Sequence, residues 1–411
     1  MNKKKIIDNF FNFLNGKVKY VILTKRSQIY SETNDIDIIT ESFVRFKDIV
    51  NLFLKKNNIF LVQEIHHKNY GKHLFFIALY KNKYISFNID VYQTIAFNNK
   101  VFFSSSFLLK SKNKEKNFNF LNKNKISIYY LIKNLIKDNI SSDNLDYIMN
   151  NLNQKTNYFK SFFPSTYNEI FKNFNEKNYK YFFNNRNKLL DELLNNCISF
   201  PYYYLYLLTY FFKRVLKPNG LIISFIGPDG SGKSSLIKKI RYSQLPFRNI
   251  HYYHFSPNIE FNPFDKSTFI MKRKENHNLI LSYLKIFYIV LTFNIFYPLI
   301  FIKKIKSSLI VFDRYYYDLL ADCNRLRIKE NILIPFFVKF IPKPDLVFVL
   351  TAEPFLIHSR KPENSLTRTK MLLKKYQAIL NNSNFIEICT NGNILKSHKL
   401  VLSKIYEKLI K

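Results

Sequence analysis

The run Gly227-Pro228-Asp229-Gly230-Ser231-Gly232-Lys233-Ser234-Ser235 constrains this chain more than any other stretch of it. The 411 residues include only seven glycines, and four of them, Gly220, Gly227, Gly230 and Gly232, fall within thirteen positions. A residue so sparse elsewhere is concentrated where a backbone has to turn tightly and stay uncovered. Leu221 to Ile226 before it is almost wholly apolar and reads as a buried strand, and a helical pattern opens at Lys233. In a strand, G-x-x-x-x-G-K-S, helix arrangement, main-chain N–H groups converge on a polyphosphate and the helix N-terminus adds partial positive charge.

At this spacing Lys233 reaches the β- and γ-phosphates and the Ser234 hydroxyl holds Mg²⁺. ATP and Mg²⁺ are the expected cofactors, with residues Gly227, Pro228, Asp229, Gly230, Ser231, Gly232, Lys233, Ser234 and Ser235 lining the nucleotide. Pro218-Asn219-Gly220 marks a boundary. After it, candidate strands Leu221–Ile226, Ile250–Tyr253, Leu309–Phe312, Leu346–Leu350 and Phe385–Cys389 alternate with helical patterns. Their near-continuous β-branched and aromatic character implies burial on both faces, so the expected fold is α/β, a parallel doubly wound sheet over residues 218–411. Residues 1–118 read as a small α+β unit with strands Val18–Leu23, Ile59–Val62, Leu74–Tyr80 and Tyr84–Tyr92, a helix Phe43–Leu54, and a turn at Lys81-Asn82-Lys83. Residues 119–217 read as a helical connecting region.

Four motifs in order carry a resemblance: the phosphate loop, Val311-Phe312-Asp313-Arg314-Tyr315-Tyr316-Tyr317-Asp318, Pro342-Lys343-Pro344-Asp345-Leu346-Val347, and Arg360-Lys361-Pro362-Glu363. With them the segment 218–411 resembles the thymidylate kinase family of P-loop nucleoside monophosphate kinases. It looks most like bacterial members fused to an N-terminal nucleotidyltransferase-like domain and associated with surface-polysaccharide biosynthesis. The resemblance implies that Arg314 grips the acceptor phosphate, that Asp313 helps organise the magnesium site, and that Arg360 and Arg368, with Lys361 and Lys370, belong to a cationic lid. Asp229 is expected either to orient the acceptor hydroxyl or to hold a metal-bound water. Both Lys233→Ala and Arg314→Ala are expected to abolish transfer and leave the fold intact. In place of the family's Thr-Arg-Glu-Pro-like acceptor segment stands His251-Tyr252-Tyr253-His254-Phe255-Ser256-Pro257, which lacks its arginine. A nucleoside monophosphate and a sugar, polyol or lipid-linked glycan intermediate stand as rival small-molecule acceptors for the kinase, and an NTP-binding protein without catalysis is the alternative.

Asp35 and Asp37 lie two residues apart, so on a strand both face one side, and Asp90 sits in a later strand between Ile89 and Val91. Three carboxylates on one sheet face can hold divalent ions for nucleotidyl transfer. They resemble the Asp-x-Asp and distal Asp of the minimal nucleotidyltransferase fold, although Leu23-Thr24-Lys25-Arg26-Ser27 replaces that family's glycine-serine turn. A working metal site, a degenerate binding domain and unrelated strand-end acids all stay open. His66 and His67 read as a polar strand end without chemistry.

The formal charge of +35 invites a nucleic-acid reading, but it is spread evenly: 34 Lys/Arg against 16 Asp/Glu in residues 1–217, and 30 against 13 beyond. No basic arm or recognised module supports a specific nucleic-acid partner. Cys197, Cys323 and Cys389 are scattered, without disulfide or zinc spacing, which points to a reducing, cytoplasmic compartment. Leu193–Phe212 and Ile286–Ile302 lack charge but contain Asn and Pro, and read as buried or interfacial helices. Peripheral contact with the inner membrane face and a homodimer are the remaining partner expectations.

Overall fold

The computed structural model describes the chain except residues 1, 32–34, 68–70, 81–82, 153–155, 244, 258–277, 363, 381–384 and 411. Most of the turn expected at Lys81-Asn82-Lys83, and Glu363 of the fourth motif, lie outside the described residues. The chain divides into two compact units, Met1–Phe211 and Phe212–Lys411.

The first unit contains β1 (Tyr20–Ile22), β2 (Ile36–Thr40), β3 (Ile59–His66), β4 (Gly71–Tyr80), β5 (Lys83–Tyr92), β6 (Thr94–Phe97), β7 (Lys100–Ser104), β8 (Lys112–Glu115), β9 (Phe118–Leu121) and β10 (Ile198–Ser199). Seven of them form a sheet in the order β3-β4-β5-β2-β1-β9-β8, and β10-β7-β6 form a second one. Alternation along the strands separates two cores. Tyr20, Ile22, Ile36, Ile38, Leu74, Phe76, Ile89 and Val91 face helices Lys3–Leu14 and Phe43–Asn57. Helix Lys3–Leu14 buries Ile6, Ile7, Phe10, Phe11 and Leu14, all at 1% exposure or less, each worth about 1.5–3 kcal/mol of burial. Val21, Leu23 and Ile39 face the other way, toward helix Lys123–Lys137 and the helices after it. The stretch read as a connector therefore packs, from Leu121 to Cys197, on the second face of this sheet, and β9 lies inside the sheet itself.

The second unit holds β11 (Leu221–Ile226), β12 (Asn249–His254), β13 (Ser308–Asp313), β14 (Leu346–Thr351) and β15 (Phe385–Cys389), in the order β12-β13-β11-β14-β15. Every pairing is parallel. β11, β13 and β14 are buried along their full length, as strands covered on both faces must be. Helices Leu279–Ile305 and Leu366–Ile379 cover one face, and Lys233–Arg241 and Ile394–Ile410 the other. This is a doubly wound parallel α/β sheet, carried by a chain that also holds a separate α+β unit. The chain leaves the central β11 for β12 and β13 on one side and returns to β14 on the other. The crevice at the carboxyl end of β11 is thus the switch point where such sheets take ligands. Asp345, in the third motif, accepts from the Ile222 amide at 2.7 Å and from Lys304 at 2.8 Å, pinning β11 to β14 from below.

Helix Leu279–Ile305 is, among the described residues, long and apolar enough to cross a membrane, with mean hydropathy 1.9 over its best window, a third of which is buried. The other uncharged run breaks into the end of helix Arg186–Asn195, β10 and the start of helix Tyr203–Leu216.

Candidate functional site

β11 ends at Ile226, and the chain turns through Gly227, Gly230 and Gly232, with φ of +145°, +85° and +89°. A Cβ on Gly227 would stand 2.6 Å from the Leu350 carbonyl oxygen, and one on Gly230 2.7 Å from that of Ile357. Both the left-handed backbone and the close approach exclude a side chain there. The Ser231 amide donates to the Pro228 carbonyl at 3.2 Å, and the Thr390 hydroxyl donates to the Ser231 carbonyl at 3.0 Å. Lys233 opens helix Lys233–Arg241 and is buried, its Nζ donating to the carbonyls of Gly227 and Pro228, both at 2.8 Å. Burial, then the nearby Arg314 guanidinium, pull its pKa down to about 8 against the opposing pull of Asp229, Asp313 and Asp318. Ser234 and Ser235 sit exposed in the first turn of the helix.

β13 pairs Asp313 with Phe225, and the Arg314 amide donates to the Phe225 carbonyl at 2.8 Å. The acid-arginine pair thereby emerges beside the loop. Arg314 has φ +78°, a left-handed conformation costly to a residue with a long side chain. Its guanidinium, 3% exposed, donates to Asp229 Oδ1 at 2.7 Å, to the Gly227 carbonyl at 3.3 Å, and to Asp318. Asp318 in turn accepts from the Tyr376 hydroxyl at 2.6 Å. Burial works against the charge on Arg314, but Asp318 and Asp229 outweigh it and raise its pKa. Arg325 donates to both Asp229 oxygens, at 3.1 and 2.9 Å, and Lys361 Nζ lies 4.0 Å from Oδ1. Asp313 is buried at the strand end.

The segment read as a lid consists of helices Pro354–Arg360 and Leu366–Ile379. Arg360 donates to the Thr390 carbonyl at 2.9 Å, so Thr390 links it to the loop through Ser231. Arg368 Nη2 lies 3.4 Å from Asp322 Oδ1, and its buried Nε has no hydrogen-bond partner among the described residues. Burial, then Asp318, pushes the Asp322 carboxyl up. Lys370 is exposed. The structure thus brings Asp229, Lys233 and Arg314 into direct contact with the loop carbonyls or with one another, and ties Arg360 and Arg368 in one step away. Sequence reasoning missed Arg325, Tyr376 and Asp322. Asp318, four residues after Arg314, was within the quoted motif but was given no role.

In the first unit, Asp37 and Asp90 are neighbours across the parallel β2–β5 pair. Asp37 Oδ2 accepts from Lys133 at 2.5 Å and from the Tyr129 hydroxyl at 3.2 Å. Burial raises its pKa although Lys133 opposes this. Asp35 Oδ1 accepts from Asn88 at 2.9 Å. Asp90 instead meets two imidazoles, with His73 Nδ1 at 2.7 Å and His67 Nε2 at 3.4 Å. Burial would raise the Asp90 pKa, but these histidines hold it well below the carboxylate range. The three acids are neighbours on one face, yet each is engaged by a different partner. His67, expected to be a bare strand end, faces Asp90.

Among the solved structures similar to about half of this chain are two thymidylate kinases. A thymidylate kinase from Candida albicans is 17% identical with a TM-score of 0.35, spanning 47% of this chain and 95% of that one. A thymidylate kinase from Ehrlichia chaffeensis is 14% identical with a TM-score of 0.32, spanning 46% of this chain and all of that one. No family model and no curated protein matches the sequence.

Proposed function

We propose that the second unit is an ATP- and Mg²⁺-dependent phosphotransferase. The observation that carries this reading is the contact of Arg314 with the phosphate loop, through the Gly227 carbonyl and the Asp229 carboxylate. It places a fixed guanidinium at the switch point, beside the loop lysine. The loop fits a polyphosphate: two glycines close the cradle where no Cβ can stand, and a buried lysine and a helix start face it. Ser234 and Asp313 would hold Mg²⁺, which when bound neutralises charge on the nucleotide oxygens.

Lys233 donates to the carbonyls of its own loop until a phosphate offers stronger, charged acceptors. Arg314, buried, and Arg325, 28% exposed, are both held by Asp229 and would supply positive charge near the acceptor. With guanidinium groups on both its oxygens, Asp229 aims these arginines. The step breaks the bond between the γ-phosphorus and its bridging oxygen and forms one to the acceptor oxygen. The hydroxyl proton of a sugar or polyol leaves to solvent, and an acceptor phosphate, already ionised, carries none. Positioning and charge neutralisation supply the acceleration.

The acceptor is a nucleoside monophosphate or, since β12 runs through His251-Tyr252-Tyr253-His254 where an arginine was expected, a sugar, polyol or glycan intermediate. The exposed side of helix Leu279–Ile305, with Ile280, Leu284, Phe287, Leu291, Ile295 and Leu299, would rest on an anionic membrane face, to which a chain of charge +35 is drawn. The test is incubation with γ-labelled ATP, Mg²⁺ and a panel of nucleoside monophosphates, sugars, polyols and sugar phosphates. Label appears on one acceptor class with the wild type and falls at least about 100-fold with Lys233→Ala. ATP binding with no labelled product from any acceptor would leave a nucleotide-binding protein without transfer and sink the kinase reading.

A further inference from the structure

The hairpin of β4 and β5 sets His73 directly opposite Asp90, and the parallel β2 sets Asp37 on the far side of Asp90. Because side chains alternate along each strand, Ile89 and Val91 turn to one core and Asp90 to the opposite face, with His73 next to it. The chain then brings a second imidazole to the same carboxylate from the end of β3. His67 donates its backbone N–H to the Gly71 carbonyl at 2.8 Å and accepts from the Tyr206 hydroxyl at 2.7 Å through its own carbonyl. The backbone that carries its ring is therefore held from two sides.

We propose that His67, His73 and Asp90 form a binding site for a divalent transition-metal ion of the Zn²⁺ type. Among the described residues this is the one group of three His, Cys or acidic side chains whose ligand atoms all lie within 4.8 Å of one another. His67 Nε2 and His73 Nδ1 approach the same oxygen, Oδ1, at 3.4 and 2.7 Å. Ligands about 2.0–2.2 Å from a tetrahedral zinc stand roughly 3.3 Å apart, so the His67 separation of 3.4 Å already matches, the His73 contact at 2.7 Å would open slightly as the ion replaces the hydrogen bond, and all three ligand atoms lie within 4.8 Å of one another. Two imidazole nitrogens and one carboxylate oxygen suit Zn²⁺ and its neighbours rather than Mg²⁺, which takes oxygen ligands. The other oxygen, Oδ2, accepts from the Tyr92 hydroxyl at 3.3 Å, the kind of outer contact that aims a ligating carboxylate. Tyr92 has room to do this because position 71 is glycine: a Cβ there would stand 2.5 Å from the Tyr92 ring. The His67 and His73 side chains are 37% and 16% exposed, so an ion can reach them and keep a further ligand from solvent. Asp35 and Asp37 do not belong to the group, being held by Asn88 and by Lys133 with Tyr129.

The site lies in the first unit and its test does not involve phosphoryl transfer. The full chain, stripped with a chelator, is titrated with ZnCl₂ against a chromophoric zinc indicator, and separately with CoCl₂ while visible absorption is recorded. One Zn²⁺ per chain binds at sub-micromolar concentration, and Co²⁺ gives a d–d spectrum of low coordination number. His67→Ala, at the exposed end of its strand, lowers zinc affinity at least about 100-fold with an unchanged circular dichroism spectrum, and Tyr92→Phe lowers it about 10-fold. His398→Ala, in the other unit, leaves it unchanged. Binding well below one ion per chain, equal affinity in His67→Ala and wild type, or displacement of Zn²⁺ by millimolar Mg²⁺ would overturn the assignment.

Discussion

At the scale of single residues, Arg314 and Lys233 are both buried but for different reasons, and their substitutions separate. Arg314 is the counter-ion of two carboxylates, Asp229 and Asp318, in a site 3% exposed. Removing one partner of a buried ion pair leaves uncompensated charge and costs about 3–5 kcal/mol. Arg314→Ala is therefore expected to lower the melting temperature markedly as well as abolish transfer, which corrects the expectation that the fold would be untouched. A melt at the wild-type temperature would show that the network contributes little. Lys233 donates only to loop carbonyls and a hydroxyl, so Lys233→Met removes a buried cation without orphaning a carboxylate. It should melt at or above the wild-type temperature while losing nucleotide. Gly227→Ala would meet the Leu350 carbonyl at 2.6 Å with φ +145°. It should destabilise by about 1–3 kcal/mol, checked by urea unfolding.

At the scale of elements, β3 carries a pH-dependent contact. Glu64 accepts from Lys47 of helix Phe43–Asn57 at 2.6 Å and from Lys72 of β4 at 2.8 Å, with His66 at 3.7 Å. Burial would raise its pKa, but the two lysines outweigh this and hold it below 4.5. A carboxyl with a lower pKa folded than unfolded contributes its full stability above the unfolded value and loses it as pH falls through the folded one. Glu64→Gln should therefore cost about 1 kcal/mol at pH 7, and the gap to wild type should narrow as pH falls below 4.5. A gap that does not narrow on acidification would contradict the assignment. The strands of the second unit were legible because a strand buried on both faces is a run of apolar residues with polar ends. β11 and β15 match their expected limits, β14 runs one residue further at its end, and β12 and β13 extend one residue further at both ends. The loop and Asp313-Arg314 were legible because their spacing is local. Arg325 and Tyr376 were not, since they reach Asp229 and Asp318 only through tertiary folding across 96 and 58 positions. His67 and His73 were hidden for a similar reason: nothing local shows that a hairpin sets His73 against Asp90, or that the end of β3 returns His67 to the same oxygen.

At the scale of the whole molecule, the proposed membrane contact draws on two features, a charge of +35 and an exposed apolar stripe on helix Leu279–Ile305. Vesicles containing phosphatidylserine should sediment the protein at low salt, with binding reduced at high salt because the Debye length shrinks. Leu284→Glu with Leu291→Glu should abolish sedimentation. Equal sedimentation of the double variant would remove the helix from the contact. With the glycine loop at the switch point of its sheet, the second unit has nucleotide as its primary ligand under the proposed reading. The most direct measurement of that claim is calorimetric titration of Mg²⁺-ATP into the full chain and into Lys233→Ala. One nucleotide binds the wild type, and affinity falls at least about 100-fold in a variant whose melting curve shows it folded. Equal affinity in the two proteins, or no binding to either, would contradict the account.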